Sequence, residues 1–340
     1  MKRRDFLKAG TVAAGALAMP RLSFAASLKS EYRMSTVVTP AFAWGRAGEK
    51  WAAAITERTS GRINAKLYPG AALVQGDQTK EFSALRQGDI DLIVGAPGNW
   101  AGTVRGLGCF TPPFLFPDHK ALDAVWNDAE FMGKYFDKVR AAGVEPLAVG
   151  ETGFRQVHTS TRPILKPEDL KGLKFRLPPN PMMNEVFSNF GANPVAMNWA
   201  DAQSALASGA VDGGENPMEI YFLVKMNTLG QKYVTKWNYM NEILLFAVNR
   251  DAWESWSDED KEVVRAAAIE AAKANVDEVR AVFADDVAKA AELGVDVHVP
   301  TADQLAAFRD ATRPVYDSWK EKIDPELISQ IESIVASTRG

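Results

Sequence analysis

A single cysteine, Cys109, stands in the 340 residues of this chain, so no internal disulfide can form and a packed core must hold the fold. Histidine is nearly as scarce. His119, His158 and His298 lie far apart, with no partner at metal-ligand spacing, and no metal site is expected. No stretch approaches the ~20 consecutive apolar residues that cross a bilayer. Neither sign of charge dominates: 39 Lys and Arg against 43 Asp and Glu leave a formal net charge of −4. Basic clusters with interleaved aromatics are also missing, so nucleic acid is not an expected partner. There is no Gly-x-Ser-x-Gly elbow and no P-loop, and Gly106-Leu107-Gly108 is too little for a dinucleotide fingerprint. With no cofactor motif and no acid–base pair, the chain is read as a non-enzyme without a cofactor. An exported enzyme is the rival class.

What is present begins at the N-terminus. Arg3-Arg4-Asp5-Phe6-Leu7-Lys8 has the form of a twin-arginine export signal. A short apolar run, Ala9 to Met19, and the small-residue site Ser23-Phe24-Ala25 complete a signal peptide over residues 1–25, with cleavage expected after Ala25. An ordinary Sec signal that holds two arginines is the alternative. No cysteine follows the apolar run, which argues against a lipoprotein anchor. The remaining ~315 residues are ample for two α/β lobes in the periplasm.

Helix and strand patterns then alternate. Glu31 to Val38, Ile63 to Tyr68 and Asp91 to Val94 read as strands. Trp44 to Ser60 and Gln78 to Gln87 read as helices. That alternation predicts a sheet flanked by helices. Thr111 to Pro117 is too proline-rich for either element and predicts a packed turn. His119 to Trp126 and Phe131 to Ala142 are expected helices, and Glu145 to Val149 a strand leading into Phe154-Arg155-Gln156. Ser257 to Gly294 opens on a capping-box pattern, Ser257 with Asp260, and holds no Pro or Gly before Gly294. It predicts one helix of about 36 residues, about 54 Å long, or two helices broken near Asn275.

The most informative stretch is Gly172 to Pro217. Leu173 to Leu177 alternates like a strand and places Arg176 before Pro178-Pro179. Pro181 to Phe190 is helical, Val195 to Met197 is a short strand, and Asp201 to Ser208 is a second helix. Val211 leads into a predicted turn, Asp212-Gly213-Gly214, and then Glu215-Asn216-Pro217. Arg176 and Asn216 therefore fall at strand ends, where open α/β sheets bind ligands. An arginine and an amide converging there suit a carboxylate.

The segment resembles the solute-binding subunits of tripartite ATP-independent periplasmic (TRAP) transporters, the DctP family. The resemblance rests on Gly172 to Pro178, Gly191 to Pro194, Trp199 and Val211 to Pro217, in that order and spacing. It extends to Ser60 to Ile63, Leu67 to Pro69, Gly88 to Leu92, Phe154 to Gln156 and Asn249 to Trp253, and thins after about Val299. It implies an α/β fold of the two-lobed periplasmic binding protein type, with a central ligand cleft and a long lobe-spanning helix. Lobe I would take residues 26–152 and about 241–280, and lobe II residues 153–240 and about 281–340. The implied function is capture of a small organic acid by a monomer and its delivery to TRAP membrane permease subunits. By resemblance Arg176 pairs the carboxylate bidentately, Arg155 and Asn216 add contacts, and Trp199 covers the ligand body. Gln78, read near a helix N-terminus, and Asn99 would select the distal end, with Tyr239 and Asn241 also within reach. Neutral amides at Gln78 and Asn99 depart from the sialic-acid-binding branch, which has acidic residues there. With Asn216, Asn180 and an aromatic platform they lean towards a sugar acid such as glucuronate or galacturonate. Small 2-oxo and 2-hydroxy acids are the alternative. A C4-dicarboxylate fits less well, for want of a second cation. Each residue has a plainer reading as well: a structural ion pair for the arginines, a turn cap for Asn216, packing for the rest.

Overall fold

The computed structural model describes residues 28–339, so the expected export signal, with Arg3, Arg4 and Ala25, lies outside the described residues. Nine strands form one mixed sheet: β1 (Tyr32–Ser35), β2 (Ala65–Tyr68), β3 (Leu92–Gly95), β4 (Val144–Thr159), β5 (Lys174–Leu177), β6 (Asn193–Ala196), β7 (Gly213–Pro217), β8 (Tyr233–Asn249) and β9 (Asp296–His298). The helices are α1 (Ala43–Arg58), α2 (Glu81–Gln87), α3 (His119–Asn127), α4 (Ala129–Ala141), α5 (Pro181–Asn189), α6 (Trp199–Ala207), α7 (Met218–Leu223), α8 (Arg250–Ser255), α9 (Asp258–Ala284), α10 (Asp286–Glu292), α11 (Ala302–Ile323) and α12 (Pro325–Ser337).

The strand order is β2-β1-β3-β8-β4-β7-β5-β6, with β9 beside β8. The long antiparallel pair β4–β8, 16 and 17 residues, is the axis of the molecule. Each end of that ribbon serves a different set of strands. β3 pairs with β8 only over Leu245 to Val248, whereas β7 pairs with β4 over Arg155 to Thr159. Three register shifts interrupt the ribbon, at Pro146/Ala148, Glu151/Gly153 and Arg155/Val157. At the last, β8 bulges over Lys236 to Tyr239, and Gln156 and Asn238 clamp the bulge with two reciprocal hydrogen bonds of 2.6 and 3.0 Å.

Helices cover the sheet because each carries one apolar face. α1 turns Trp51 and Ile55 onto Phe246 and the alanine face of α9. The Trp51 indole N–H donates to Val264 O at 3.1 Å, tying the two helices together. Burying one tryptophan of this kind contributes up to about 4–6 kcal/mol. A second core joins Phe110, Phe131 and Tyr135 to Phe175, Phe187, Trp237 and Phe308, and a third packs Leu206, Tyr221 and Phe222 under α10.

Five local expectations need correction. The long helix ends at Ala284, and Asp285 interrupts it before α10. Asn275 does not break it; its Oδ1 accepts from Glu151 N at 2.9 Å and holds the β4 bulge. The break falls where buried Asp286 turns inward to accept from Lys236 Nζ at 2.6 Å. Ser257 caps α9 as read, but Asp260 pairs with Arg62 rather than closing a capping box. Gly213 and Gly214 open β7 and are not a turn: a Cβ on Gly213 would lie 2.4 Å from His158 O, so only glycine lets the strand approach. Gln78 precedes α2, which starts at Glu81, and Arg155 lies within β4.

Candidate ligand-binding cleft

A cleft, with about 330 Å³ of empty space including its open mouth, lies where the two strand sets face each other across the ribbon. One wall comes from the loops after β1, β2 and β3 and from α1, with Val37, Val38, Trp44, Gln78 and Asn99. The facing wall comes from β5, β7 and the helix starts after them, with Arg176, Pro178, Trp199, Asn216 and Ile220. Arg155 and Glu242, from the ribbon, complete it. Six of the eight residues expected at the site therefore meet around one space: Arg155, Arg176, Asn216, Trp199, Gln78 and Asn99. A larger surface groove, about 1020 Å³ between Phe114 and α11–α12, contains none of them.

The two arginines are in opposite states. Arg155 is 3% exposed, and its guanidinium is fully engaged. Nε and Nη2 fork onto the Glu215 carboxylate, Nη2 also donates to Glu215 O at 2.8 Å, and Nη1 donates to Glu242 Oε2 at 2.6 Å. Burial opposes its charge, but Glu215 and Glu242 outweigh burial and push its pKa further above the ordinary arginine value. Arg176 is 2% exposed and has no carboxylate within ion-pair distance among the described residues. Its one side-chain hydrogen bond there is Nη2 to Met197 O, 2.8 Å, and Nε has no partner. Burial pulls its pKa down to about 10, still far above neutral pH, so the group stays cationic. A buried cation without a counter-ion is costly, and here it faces a cavity.

The other groups are held by the elements that carry them. Trp199 opens α6, packs edge-on against Phe42 at 6.3 Å and lies 5.7 Å from the Arg176 guanidinium. Gln78 reaches across the cleft: its Oε1 accepts from Trp199 N at 3.0 Å, capping the otherwise uncapped α6. A second bond crosses beside it. Asn180 caps α5 through Oδ1 and donates from Nδ2 to Gly98 O at 2.9 Å. Asn216 Oδ1 faces His158 Nε2 at 3.1 Å.

Tyr239 and Asn241 do not line the cavity. The Tyr239 hydroxyl donates to Glu215 Oε2 at 3.1 Å, behind Arg155, and Asn241 Nδ2 donates to Glu151 Oε2 at 2.8 Å. Sequence reasoning missed Glu215 and Glu242 as partners of Arg155. Glu215 stands beside Asn216 in the very motif that flagged the site. Glu242 could be found only from the register, which places it opposite Gly153, two residues before Arg155.

A family model described as bacterial extracellular solute-binding protein, family 7, matches residues 34–322. The C4-dicarboxylate-binding periplasmic protein DctP of Rhodobacter capsulatus is 27% identical over 94% of this chain and 94% of its own length. Among solved structures, a TRAP periplasmic solute-binding protein from Ralstonia eutropha, with bound (S)-2-acetolactate, is 49% identical. It superposes with a TM-score of 0.89 over 91% of this chain and 99% of its own. A sugar-acid-binding protein from Advenella mimigardefordensis, in complex with galactonate, is 25% identical, with a TM-score of 0.83 over 90% of this chain and 98% of its own.

Proposed function

Since this chain belongs to the bacterial extracellular solute-binding proteins of family 7, TRAP binding subunits that capture small organic acids and are not enzymes, we propose that its own ligand is a short 2-hydroxy or 2-oxo monocarboxylate. The observation that carries this reading is Arg176, a buried cation with no counter-ion beside the cavity. One carboxylate satisfies it through paired hydrogen bonds. A second carboxylate would find only Arg155, whose charge already meets two glutamates. The rest of the cavity supports a small body. The space between the walls is narrow, because the Gln78–Trp199 and Asn180–Gly98 bonds already bridge it. Val37, Val38, Trp44, Pro178, Trp199 and Ile220 supply apolar wall around three amides. The bound 2-acetolactate of the 49% identical structure is an acid of this kind.

A sugar acid is the second reading, favoured by Gln78, Asn99 and Asn216 and by the galactonate held by the Advenella protein. A thermal-shift panel of 2-acetolactate, lactate, pyruvate, glucuronate, galacturonate and succinate separates the two. The acid present at about 100 times its dissociation constant stabilises the fold by ~2.7 kcal/mol. A larger shift with the uronates than with the short acids would replace the first reading by the second, and no shift with any acid would sink both.

In this scheme the protein is a periplasmic monomer, exported by its twin-arginine signal and cleaved after Ala25. Lobe I comprises residues 26–152 and about 241–280, and the remainder of the mature chain is lobe II. Ligand bound to both walls favours the closed form, which the Gln78–Trp199 and Asn180–Gly98 bonds hold together. The closed form then delivers the acid to the TRAP permease.

A further inference from the structure

Behind Asn216 lies a buried polar row that the binding reading does not use. His158, on β4, stands opposite Gly214 on β7, and its imidazole lies across that glycine. A Cβ at Gly214 would sit 3.1 Å from His158 Cε1, so the missing side chain is what seats the ring. One ring nitrogen, Nε2, is 3.1 Å from Asn216 Oδ1. The other, Nδ1, is 2.9 Å from Gln231 Oε1. The Tyr221 ring packs edge-on at 5.9 Å, and its hydroxyl donates to Gln231 O at 2.6 Å. His158 and Gln231 are 1% and 0% exposed, so water cannot mend a mismatch.

As placed, both ring nitrogens face oxygens, which requires a proton on each. Only the two amide oxygens favour that extra charge, and burial outweighs them. No carboxylate touches the ring, Arg155 and Arg176 both lie close enough to oppose it, and burial drives the imidazole towards neutrality, with a pKa near 4. A neutral ring has one N–H and one lone pair. One of the two amides must therefore present nitrogen, and the oxygen and nitrogen of an amide exchange on a half-turn with almost no change in shape. Gln231 decides which, because its Nε2 has no hydrogen-bond partner among the described residues. Turned over, Gln231 donates from Nε2 to His158 Nδ1; the place without a partner then holds its carbonyl oxygen, which tolerates the lack of a partner better than an N–H does. Turning Asn216 instead would leave Gln231 Nε2 without one.

We propose that Gln231 and His158 form a relay that fixes His158 as the neutral Nε2–H tautomer, which locks Asn216 Oδ1 as an acceptor and commits its Nδ2 hydrogens to the cavity. His158 is then a positioning residue. It makes Asn216 a donor to the bound acid, beside Arg176, and never an acceptor. The role of Asn216 towards an acid rests on the proposed function; the tautomer does not.

The test has two arms. Histidine-selective ¹⁵N labelling and a long-range ¹H–¹⁵N spectrum of the ligand-free protein report the tautomer of each of the three histidines, and a His158→Gln spectrum identifies the signals that vanish. An Nε2–H ring between pH 6 and 8 is expected, whereas an Nδ1–H ring or an imidazolium overturns the relay. The second arm measures binding of racemic 2-acetolactate by calorimetry. In His158→Gln the amide can donate to Asn216 and accept from Gln231, so affinity should stay within about threefold; His158→Leu can do neither and should lose at least about tenfold. Equal affinity in the two variants removes the positioning role. If the wild type does not bind 2-acetolactate, the ligand reading fails and the spectrum still decides the relay.

Discussion

Arg155 and Arg176 stand on strands that flank β7 on either side, are almost equally buried and border the same cavity, yet one is saturated and the other vacant. Arg155 spends its donors on Glu215 and Glu242, which also draw in Tyr239 and Thr152. It joins β4, β7 and β8 at the point where the ribbon changes register. Arg176 holds one backbone carbonyl and waits with its charge unmatched. Burial alone thus says little about what an arginine does. Its counter-ions say much more: a cation with its own carboxylates builds the site, and a cation without them asks for a ligand.

Removing the saturated partner should have the largest effect. Arg155→Leu strands two buried carboxylates and should destabilise the fold by ~3–5 kcal/mol in chemical denaturation. A loss below about 1 kcal/mol would show that Arg155 is no keystone. Acid provides the next contrast. His158, with a folded value near 4 against 6.5 unfolded, lets the unfolded chain take up its proton first. Its contribution is complete above pH ~6.5 and drains as pH falls towards 4, by up to ~3 kcal/mol. His158→Gln should flatten that part of the pH–stability curve, and an unchanged slope would assign the acid sensitivity elsewhere. For the vacant arginine, stability and binding should separate. Arg176→Lys keeps the charge but loses the fork, so affinity for the best acid of the panel should fall about ten- to a hundredfold while stability moves by under ~1 kcal/mol. Unchanged affinity would return Arg176 to a structural role. The smallest effect is expected at the latch. Gln78→Ala removes one cross-cleft bond and the α6 cap, worth ~0.5–1.5 kcal/mol, and should raise the dissociation constant by a few-fold up to about tenfold.

Arg176 and Asn216 were legible in the sequence because their signals are local: period-two alternation and Gly–Pro punctuation within a few dozen residues. The Arg155 pairing was not, because Glu215 and Glu242 reach it only through strand register, 60 and 87 residues away in the chain. The two long strands were only partly visible for a related reason. β4 was readable to Val149, before Gly150 and Gly153 blur the pattern at its bulges. β8 is buried over most of its length on both faces, and a strand of that kind loses the alternation that announces it. Gln78 illustrates a third limit. Its neighbours suggested a helix start, whereas its partner is the start of a different helix, 121 residues on.

The shared β4–β8 ribbon has a consequence for how the molecule can be taken apart. In a protein whose halves are joined by loops, either half can be expressed alone by cutting the connections. Here every cut between the halves severs two strands in mid-length, so each fragment would lose the continuous ribbon that its own strands and helices are built on. The two walls of the cleft are therefore neither modules nor interchangeable parts. A chimera that seeks a new specificity has to trade loops and helix starts around the ribbon and leave the ribbon whole.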